Sequence, residues 1–190
     1  MNLDEKIISA LKDLDYEEAT EIQKKAIPIA LKRRDILAAA QSGTGKTAAF
    51  LLPILAELLE TKQTKTILRT LILVPTRELA SQISKAVEDF SKYMDISSLA
   101  MVGGVSTKDQ EKKIAKGIDI LVATSGRLME HLKNGTVDLS SVTTVVIDEV
   151  DTMLDMGFLE DIEKILPNVG PKRQIMMFSA TMNQNVKKLA

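Results

Sequence analysis

Residues 35–60, DILAAAQSGTGKTAAFLLPILAELLE, place a glycine-containing loop between two apolar segments. The first segment has the length of a buried strand, whereas the second is long enough for a helix. Gly43 and Gly45 allow the loop backbone to curl so that its N–H groups point inward, as they do in loops that cradle phosphate oxygens. This stretch therefore predicts a strand, a phosphate loop and a helix in succession, which is typical of an α/β protein.

The rest of the chain repeats the alternation of apolar strands and helical segments. Two amphipathic helices are expected first, one from Leu3 to Leu14 and one after Thr20, a predicted N-cap. Strands are then predicted at 35–40, 70–74, 98–102, 118–123, 142–147 and 174–179, and helices at 48–60, 76–93, 107–116, 126–133 and 183–190, with two short helical stretches after 142–147. The pattern indicates an α/β domain with a parallel β-sheet and helices on both faces, in which ligands collect at the carboxyl ends of the strands.

The composition limits the classes of protein to consider. The chain has 190 residues, of which 45% are hydrophobic and 27% charged, so one compact domain spanning residues 1–190 is expected. It has no cysteine and no apolar run of membrane-spanning length, which favours a cytoplasmic protein without a membrane partner. The single histidine, His131, excludes a histidine-rich metal site and is expected at the surface. Because the net charge is −1, any nucleic-acid partner must be held by a local surface.

The phosphate loop and an acidic strand end together predict binding and hydrolysis of a nucleoside triphosphate. The loop residues expected to bind nucleotide are Gln41, Ser42, Gly43, Thr44, Gly45, Lys46 and Thr47. Lys46 can reach the β and γ phosphates, and the Thr47 hydroxyl can ligate Mg²⁺. Asp148, which follows a strand, would hold Mg²⁺ largely through water, and Glu149 would orient the attacking water. Taken singly, the two motifs are also compatible with a flexible glycine turn and a solvated acidic turn.

Short polar stretches follow the other predicted strands: PTRELA (75–80), GG (103–104), TSGR (124–127) and SAT (179–181), while DYEEATEIQ (15–23) precedes the first. In this order, together with AQSGTGKT (40–47) and DEVD (148–151), they resemble the first RecA-like domain of DEAD-box RNA helicases over essentially the whole chain. VGGVS and DTMLDMGF further resemble the bacterial RhlE-like branch.

The resemblance implies a RecA-like P-loop fold with ATP and Mg²⁺ as cofactors and RNA as partner. It also implies that the chain is the N-terminal half of a two-domain helicase core whose second RecA-like domain is absent from this sequence. An isolated domain of this kind is expected to be monomeric. We expect it to bind nucleotide and to hydrolyse it slowly, since arginines supplied by a second element are worth about 10³–10⁵ in rate in related enzymes.

The resemblance also assigns roles to individual residues. Gln23 would read the adenine base, in a pocket shaped by Tyr16, Glu18 and Thr20. RNA would be bound through its sugar–phosphate backbone, without sequence specificity, by Pro75, Thr76, Arg77, Gly103, Gly104, Thr124, Gly126 and Arg127. Asp151, Ser179 and Thr181 would be hydrogen-bonded to one another and would couple the nucleotide state to RNA binding.

Several positions depart from the family pattern. Asp15 stands where the family has glycine, Ala19 and Ser125 stand where it has proline, and Ala40 stands where the usual phosphate-loop pattern opens with glycine. Val150 replaces the alanine after which the family is named, at a position expected to be packed and to carry no chemistry.

Three functions are compatible with the sequence. The first is an ATP-dependent RNA helicase, and the second is a nucleotide-gated RNA-binding module without turnover on its own. The third is a DNA-directed motor of the same superfamily, against which the glutamine motif, PTRELA and SAT argue.

Overall fold

The computed structural model describes residues 3–61 and 66–189. Within these residues, six strands form one sheet in which all neighbouring strands run parallel, in the order β1-β6-β5-β2-β4-β3. The strands are β1 Ile36–Ala39, β2 Thr70–Val74, β3 Ser98–Met101, β4 Ile120–Thr124, β5 Thr144–Ile147 and β6 Gln174–Ser179. The predicted parallel α/β architecture is therefore confirmed, and the strand ends differ from the predicted ones by at most two residues.

Helices connect successive strands, as the short apolar strands and the right-handed crossover rule require. They are α1 Glu5–Asp13, α2 Glu21–Ala30, α3 Lys46–Glu60, α4 Arg77–Phe90, α5 Thr107–Ala115, α6 Ser125–Lys133, α7 Val150–Asp155, α8 Leu159–Ile165 and α9 Gln184–Leu189. A single 3₁₀ turn, Leu166–Asn168, extends α8. The last predicted helical residue, Ala190, lies outside the described residues.

Both faces of the sheet are covered, and the alternation of side chains along each strand divides the core into two layers. On β2, Ile72 and Val74 point into a layer closed by α1 to α4, where Phe50 and Phe178 lie with ring centroids 5.5 Å apart. Leu71 and Leu73 point into the opposite layer, which includes apolar residues of α6, α7 and α8. Every residue of β2 is buried, because a central strand of a doubly covered sheet meets no solvent.

Polar residues at the carboxyl ends of the strands start several of the following helices. Thr76 accepts a hydrogen bond from the Leu79 N–H at the start of α4, and Ser106 accepts one from the Asp109 N–H at the start of α5. Gly45, with φ of 90°, precedes α3. These short connections leave the first turns of the helices at one edge of the sheet, where the predicted motifs lie. Among the described residues, no helix has both the length and the apolar character needed to cross a bilayer.

Candidate functional site

The strand order sorts the predicted motifs into two groups along the carboxyl edge of the sheet. The adjacent strands β1, β6 and β5 lead into the phosphate loop, residues 179–181 and residues 148–151. The adjacent strands β2, β4 and β3 lead into residues 75–77, 124–127 and 103–104. We call the first group the nucleotide half and the second the RNA half, after the ligands predicted for them. Each half is contiguous, although its members are far apart in sequence.

Lys46 connects the phosphate loop to the acidic strand end. It is the first residue of α3, its side chain is buried, and its Nζ lies 3.1 Å from Oδ1 of Asp148. The loop residues before it, Gln41 to Thr44, are exposed, and Gly43 and Gly45 have φ of 80° and 90°. An exposed loop of this conformation at the N-terminus of a helix presents N–H groups and the positive end of the helix dipole to an anion.

Asp148 is a buried carboxyl, 1% exposed, at the end of β5. Burial raises its pKa above the ordinary value, and the ammonium group of Lys46 opposes this effect. Its backbone N–H donates to the Leu73 carbonyl at 3.0 Å, which extends the pairing of β5 with β2 by one residue. The orientation of the carboxyl group is therefore held by the sheet itself and by its ion pair with Lys46.

Glu149 has the left-handed backbone conformation, with φ of 53°. A residue other than glycine adopts this conformation at an energetic cost and is often found at functional sites. Its Oε1 accepts a hydrogen bond from the Ser42 hydroxyl at 3.3 Å. This conformation directs the two consecutive acids to different partners, Asp148 to Lys46 and Glu149 to the phosphate loop.

Asp151 is joined to the end of β6 by two hydrogen bonds. Its Oδ2 accepts from the backbone N–H of Thr181 at 2.8 Å and from the Thr181 hydroxyl at 3.0 Å. Burial would raise the pKa of Asp151, but hydrogen bonds from Thr181, the Ser179 hydroxyl and the Thr152 N–H together outweigh burial and lower its pKa below the ordinary value. The Ser179 hydroxyl donates to the Thr181 carbonyl at 2.7 Å, so that Ser179 supports Asp151 through Thr181.

Gln23 uses both ends of its side-chain amide within the protein. It is 3% exposed, its Oε1 accepts from the Thr20 N–H at 3.0 Å, and its Nε2 donates to the Gly45 carbonyl at 3.1 Å. The glutamine predicted to read adenine therefore also holds the phosphate loop. Reading both edges of a base would require these two hydrogen bonds to be exchanged or shared.

The other residues predicted to shape the adenine pocket lie in different surroundings. A cavity of about 550 Å³ beside the phosphate loop is lined by residues that include Thr20, Gln41 and Thr44. Within the described part of the chain, Tyr16 and Glu18 are not in its lining. Tyr16 is 45% exposed and packs edge-on against Phe90 of α4, with ring centroids 5.5 Å apart. Contact of Tyr16 and Glu18 with a nucleotide stays a prediction.

In the RNA half, the predicted phosphate-binding residues differ in exposure. Pro75 is buried, Thr76 caps α4, and the exposed Arg77 donates to the Gly103 carbonyl at 3.2 Å. Gly104 and Gly126 are exposed, whereas Thr124 is half-buried as the N-cap of α6. An open cavity of about 730 Å³ lies between α4 and residues 102–105, with Arg77 and Lys85 in its lining.

Arg127 is engaged inside the protein. Its guanidinium donates to the Thr107 hydroxyl at 2.7 Å and to the Val105 carbonyl at 3.3 Å, and its side chain is 12% exposed. Arg127 thus ties the loop that follows β3 to α6. Direct contact with a phosphate stays a prediction.

His131 is fully buried, so its predicted place at the surface is wrong. Its Nδ1 lies 2.7 Å from the Thr136 hydroxyl and its Nε2 lies 3.1 Å from Oε1 of Gln110, which is itself 2% exposed. Polar partners make burial of the imidazole tolerable, because the ring is hydrogen-bonded at both nitrogens. The spacing of three residues from the buried Leu128 is the signal that places His131 on the inner face of α6.

Two further features of the site were not predicted. Gln110 holds the loop after β3, since its Nε2 donates to the Val102 carbonyl at 3.1 Å. Ser125, where the family has proline, is buried, and within the described residues its hydroxyl has no hydrogen-bond partner. A lone glutamine or serine in a helix carries no pattern that would reveal either role. The predicted packing of Val150 is confirmed, since it is fully buried in the layer that includes α6 to α8.

Comparisons with known proteins agree with this arrangement. A family model described as DEAD/DEAH box helicase matches residues 20–189. A probable ATP-dependent RNA helicase, ddx27 of Dictyostelium discoideum, is 44% identical over 191 residues, covering 100% of this chain and 24% of the relative. The ATP-dependent RNA helicase DeaD of Escherichia coli strain K12 is 45% identical over 184 residues, covering 96% of this chain and 29% of the relative. Because relatives from a eukaryote and a bacterium are about equally similar, the RhlE-like subgroup stays a prediction.

A solved structure shows the same fold. A DEAD box protein from the hyperthermophile Methanococcus jannaschii superposes with a TM-score of 0.93 at 37% identity, covering 100% of this chain and 51% of that chain. The chain thus spans about a quarter to a third of the curated relatives just described and about half of this structure. Since the family model extends over most of the chain and the motifs lie together at one edge of a RecA-like sheet, the chain belongs to the DEAD/DEAH box helicase family.

Proposed function

We propose that the parent protein is an ATP-dependent RNA helicase, an RNA-stimulated ATPase that unwinds or remodels RNA duplexes, and that this chain is its N-terminal ATP-binding domain. Family membership supports the reaction class. The observation that carries the proposal is the strand order, which brings a phosphate loop, three acids and their hydrogen-bonded neighbours to three adjacent strand ends. The adjoining three strand ends carry the candidate RNA contacts. None of these contacts favours a DNA-directed motor over an RNA helicase.

The nucleotide half would bind ATP through its phosphates. The exposed N–H groups of residues 41–45 and the N-terminus of α3 would surround the phosphate oxygens, while Lys46 would exchange part of its contact with Asp148 for the β and γ phosphates. Gln23 would recognise adenine from its position behind Gly45. Adenine binding would then be sensed directly by the phosphate loop, since the same amide group contacts both.

The residues present fit a magnesium ion. The Thr47 hydroxyl and the Asp148 carboxylate are oxygen ligands, and Mg²⁺ is commonly held in such sites by one or two protein oxygens, phosphates and water. When Lys46 turns toward the phosphates, the buried Asp148 carboxyl would lose part of its counter-charge, and a cation would replace it. When bound, the ion would neutralise charge on the phosphates. Glu149 would accept a proton from the attacking water or orient it, from a backbone position that directs its side chain to the phosphate loop.

The RNA half would bind the sugar–phosphate backbone of one strand. Its candidate groups are the exposed Arg77, backbone N–H groups of residues 103 and 104, and the start of α6. Groups of this kind position a phosphate and do not read base edges, so binding should be largely independent of sequence.

The coverage of the relatives supports further chain beyond this domain in the parent protein. We propose that a second RecA-like domain completes the ATP and RNA sites, that the isolated chain is monomeric, and that the parent acts in the cytoplasm. Alone, the chain would act as a nucleotide-dependent RNA-binding module with little turnover.

The enzyme proposal is tested by measuring RNA-stimulated ATP hydrolysis in the full-length parent and in its Glu149→Gln variant. We expect stimulation by single-stranded RNA of unrelated sequences and loss of hydrolysis, with nucleotide binding retained, in the variant. A parent protein without RNA-dependent hydrolysis would refute the proposal.

For the base, calorimetry should show tighter binding of ADP than of GDP to the chain, and equal affinities would exclude the role of Gln23.

A further inference from the structure

The loop of residues 102–107, between β3 and α5, accepts hydrogen bonds from side chains of three helices. Gln110 of α5 donates to the Val102 carbonyl at 3.1 Å, and Arg77 of α4 donates to the Gly103 carbonyl at 3.2 Å. Arg127 of α6 donates to the Val105 carbonyl at 3.3 Å. Three carbonyl groups of one short loop therefore point toward side chains of the protein.

This arrangement determines where the N–H groups of the loop point. The described peptide bonds are not cis, and in a trans peptide the N–H group points away from the carbonyl of the same unit. The N–H groups of residues 103, 104 and 106 are therefore directed away from the side chains of Gln110, Arg77 and Arg127, respectively. Within the described part of the chain these N–H groups donate no hydrogen bond. They are the groups that the RNA half can offer to a phosphate.

The orientation of Gln110 depends on His131. A glutamine amide can rotate by 180°, and its oxygen would then face the Val102 carbonyl, an acceptor facing an acceptor. The oxygen of Gln110 instead faces Nε2 of His131 at 3.1 Å. Because Gln110 donates to Val102 and accepts at its other end, His131 must carry its proton on Nε2.

Thr136 is placed to complete this arrangement. Its hydroxyl lies 2.7 Å from Nδ1 and 3.1 Å from the His131 carbonyl, and once the ring proton is on Nε2 the hydroxyl donates to Nδ1. A directed series of hydrogen bonds thus runs from Thr136 through His131 and Gln110 to the Val102 carbonyl. His131 is fully buried and Gln110 is 2% exposed, so water does not compete for these groups.

We propose that His131 is a positioning residue for RNA binding: its Nε2–H fixes the amide of Gln110, which turns the Val102 carbonyl inward and the Gly103 N–H toward the phosphate of the bound strand. The inference rests on the proposed RNA-binding function of this surface. His131 itself would not touch RNA. Its effect is on the direction of one peptide unit.

The first test uses NMR of the chain without RNA. Since the chain has one histidine, its imidazole nitrogens give one set of signals, which should show the Nε2–H tautomer at pH 7.5. The amide signal of Gly103 should shift in His131→Phe and in Gln110→Met, and should return toward its original position in His131→Gln, which restores an N–H donor near Nε2. An Nδ1–H tautomer, or a Gly103 amide signal that does not shift in any of the three variants, would overturn the proposal.

The second test measures binding of a fluorescein-labelled single-stranded oligouridylate by anisotropy. Loss of one neutral hydrogen bond predicts about fivefold weaker binding for His131→Phe and for Gln110→Met. The double variant should bind no more weakly than either single variant, because both act through one series, and His131→Gln should restore affinity to within about twofold. Additive losses, or failure of the glutamine to rescue binding, would refute positioning by His131.

Gln174→Met is the matched control for general destabilisation. Gln174 is also a buried glutamine, 3% exposed, whose Nε2 donates to two carbonyl groups, Ala30 and Arg34, near the start of β1. It should lower stability and leave RNA affinity unchanged, whereas an equal loss of RNA binding would count against the proposal. If His131→Phe does not fold, Gln110→Met carries both tests. If the wild-type chain binds no RNA while the Gly103 amide signal still shifts with substitution of His131, positioning of the loop is supported and the proposed RNA binding is refuted.

Discussion

Replacing Thr181 by valine should weaken the connection between the acidic strand end and β6 without removing it. The substitution keeps the size of the side chain and the backbone N–H that donates to Asp151 at 2.8 Å. It removes the hydroxyl that donates to the same carboxylate oxygen at 3.0 Å. A hydrogen bond to a charged group contributes about 1.5–3 kcal/mol, and Asp151 is only 8% exposed, so we expect a loss of about 2 kcal/mol at pH 7.

The loss should depend on pH with a definite sign. The pKa of Asp151 is lowered from its ordinary value in the folded chain, since hydrogen bonds, those from Thr181 first among them, together outweigh burial. A lowered carboxyl pKa contributes stability that is fully present above the unfolded pKa and disappears as pH falls through the folded pKa. The difference between wild type and Thr181→Val should therefore be constant above about pH 5 and shrink from there toward pH 3.

Urea unfolding of the chain measures this effect. For an m value of about 2–3 kcal/mol/M, a loss of about 2 kcal/mol lowers the urea midpoint by about 0.7–1 M at pH 7. Thr181→Ser is the control, because it keeps the hydroxyl and should retain most of the stability. Asp151→Asn combined with Thr181→Val should lose less than the sum of the single variants. An equal loss at pH 7 and pH 3, or additivity in the double variant, would show that the hydroxyl does not act through the Asp151 charge.

Three other variants test separate features. Asp15, where the family has glycine, has φ of 55°, a conformation that strains residues other than glycine. Asp15→Gly should therefore raise the free energy of unfolding by up to about 1 kcal/mol. A lower urea midpoint for this variant would contradict the strain. Burial, assisted by Arg127 and opposed by Glu111 and Glu130, lowers the pKa of His131 below 6.5. The urea midpoint should therefore fall as pH decreases below about 6.5, because the unfolded chain binds a proton more readily there. His131→Gln should remove this part of the pH dependence. Val150→Ala removes two buried methyl groups and should destabilise the chain by about 2 kcal/mol, while RNA-stimulated ATPase of the parent changes less than about tenfold.

The sequence alone was sufficient for the fold because its signals are local. The run from 35 to 60 contains a buried strand, a glycine loop and a helix, and each feature is visible in consecutive residues. The motifs at the other strand ends were predictable for the same reason, since apolar strands stop abruptly at polar residues. Asp148, Thr76 and Thr124 lie at strand ends where such a pattern places them.

Contacts between distant segments could not be predicted in the same way. In the sheet, β6 lies between β1 and β5, and no local stretch of sequence predicts this strand order. The same limit applies to the partner of His131: the spacing from Leu128 places the imidazole on the inner face of α6, but Gln110, which hydrogen-bonds it there, lies 21 positions away in sequence. The left-handed conformation of Glu149 depends on its position between a buried strand and α7. It could not be predicted from the residue type, because glutamate rarely adopts this conformation.

Polar side chains join the members of each half of the site, whereas the hydrogen bond between the two halves at the carboxyl edge is made by the main chain. The links from Lys46 to Asp148, Ser42 to Glu149 and Thr181 to Asp151 all lie within the nucleotide half. The links from Arg77, Gln110 and Arg127 all lie within the RNA half.

At the carboxyl edge the boundary between β5 and β2 is crossed by the N–H of Asp148, which donates to the Leu73 carbonyl at 3.0 Å. Leu73 lies two residues before Pro75, so a displacement of Asp148 would reach the candidate RNA-binding segment at residues 75–77 through buried, hydrogen-bonded backbone. A side-chain substitution in either half should therefore weaken the function of that half first. We expect coupling between the halves within this domain to pass through this hydrogen bond, which a single side-chain replacement leaves in place, and through the apolar layer that α6 and α7 share.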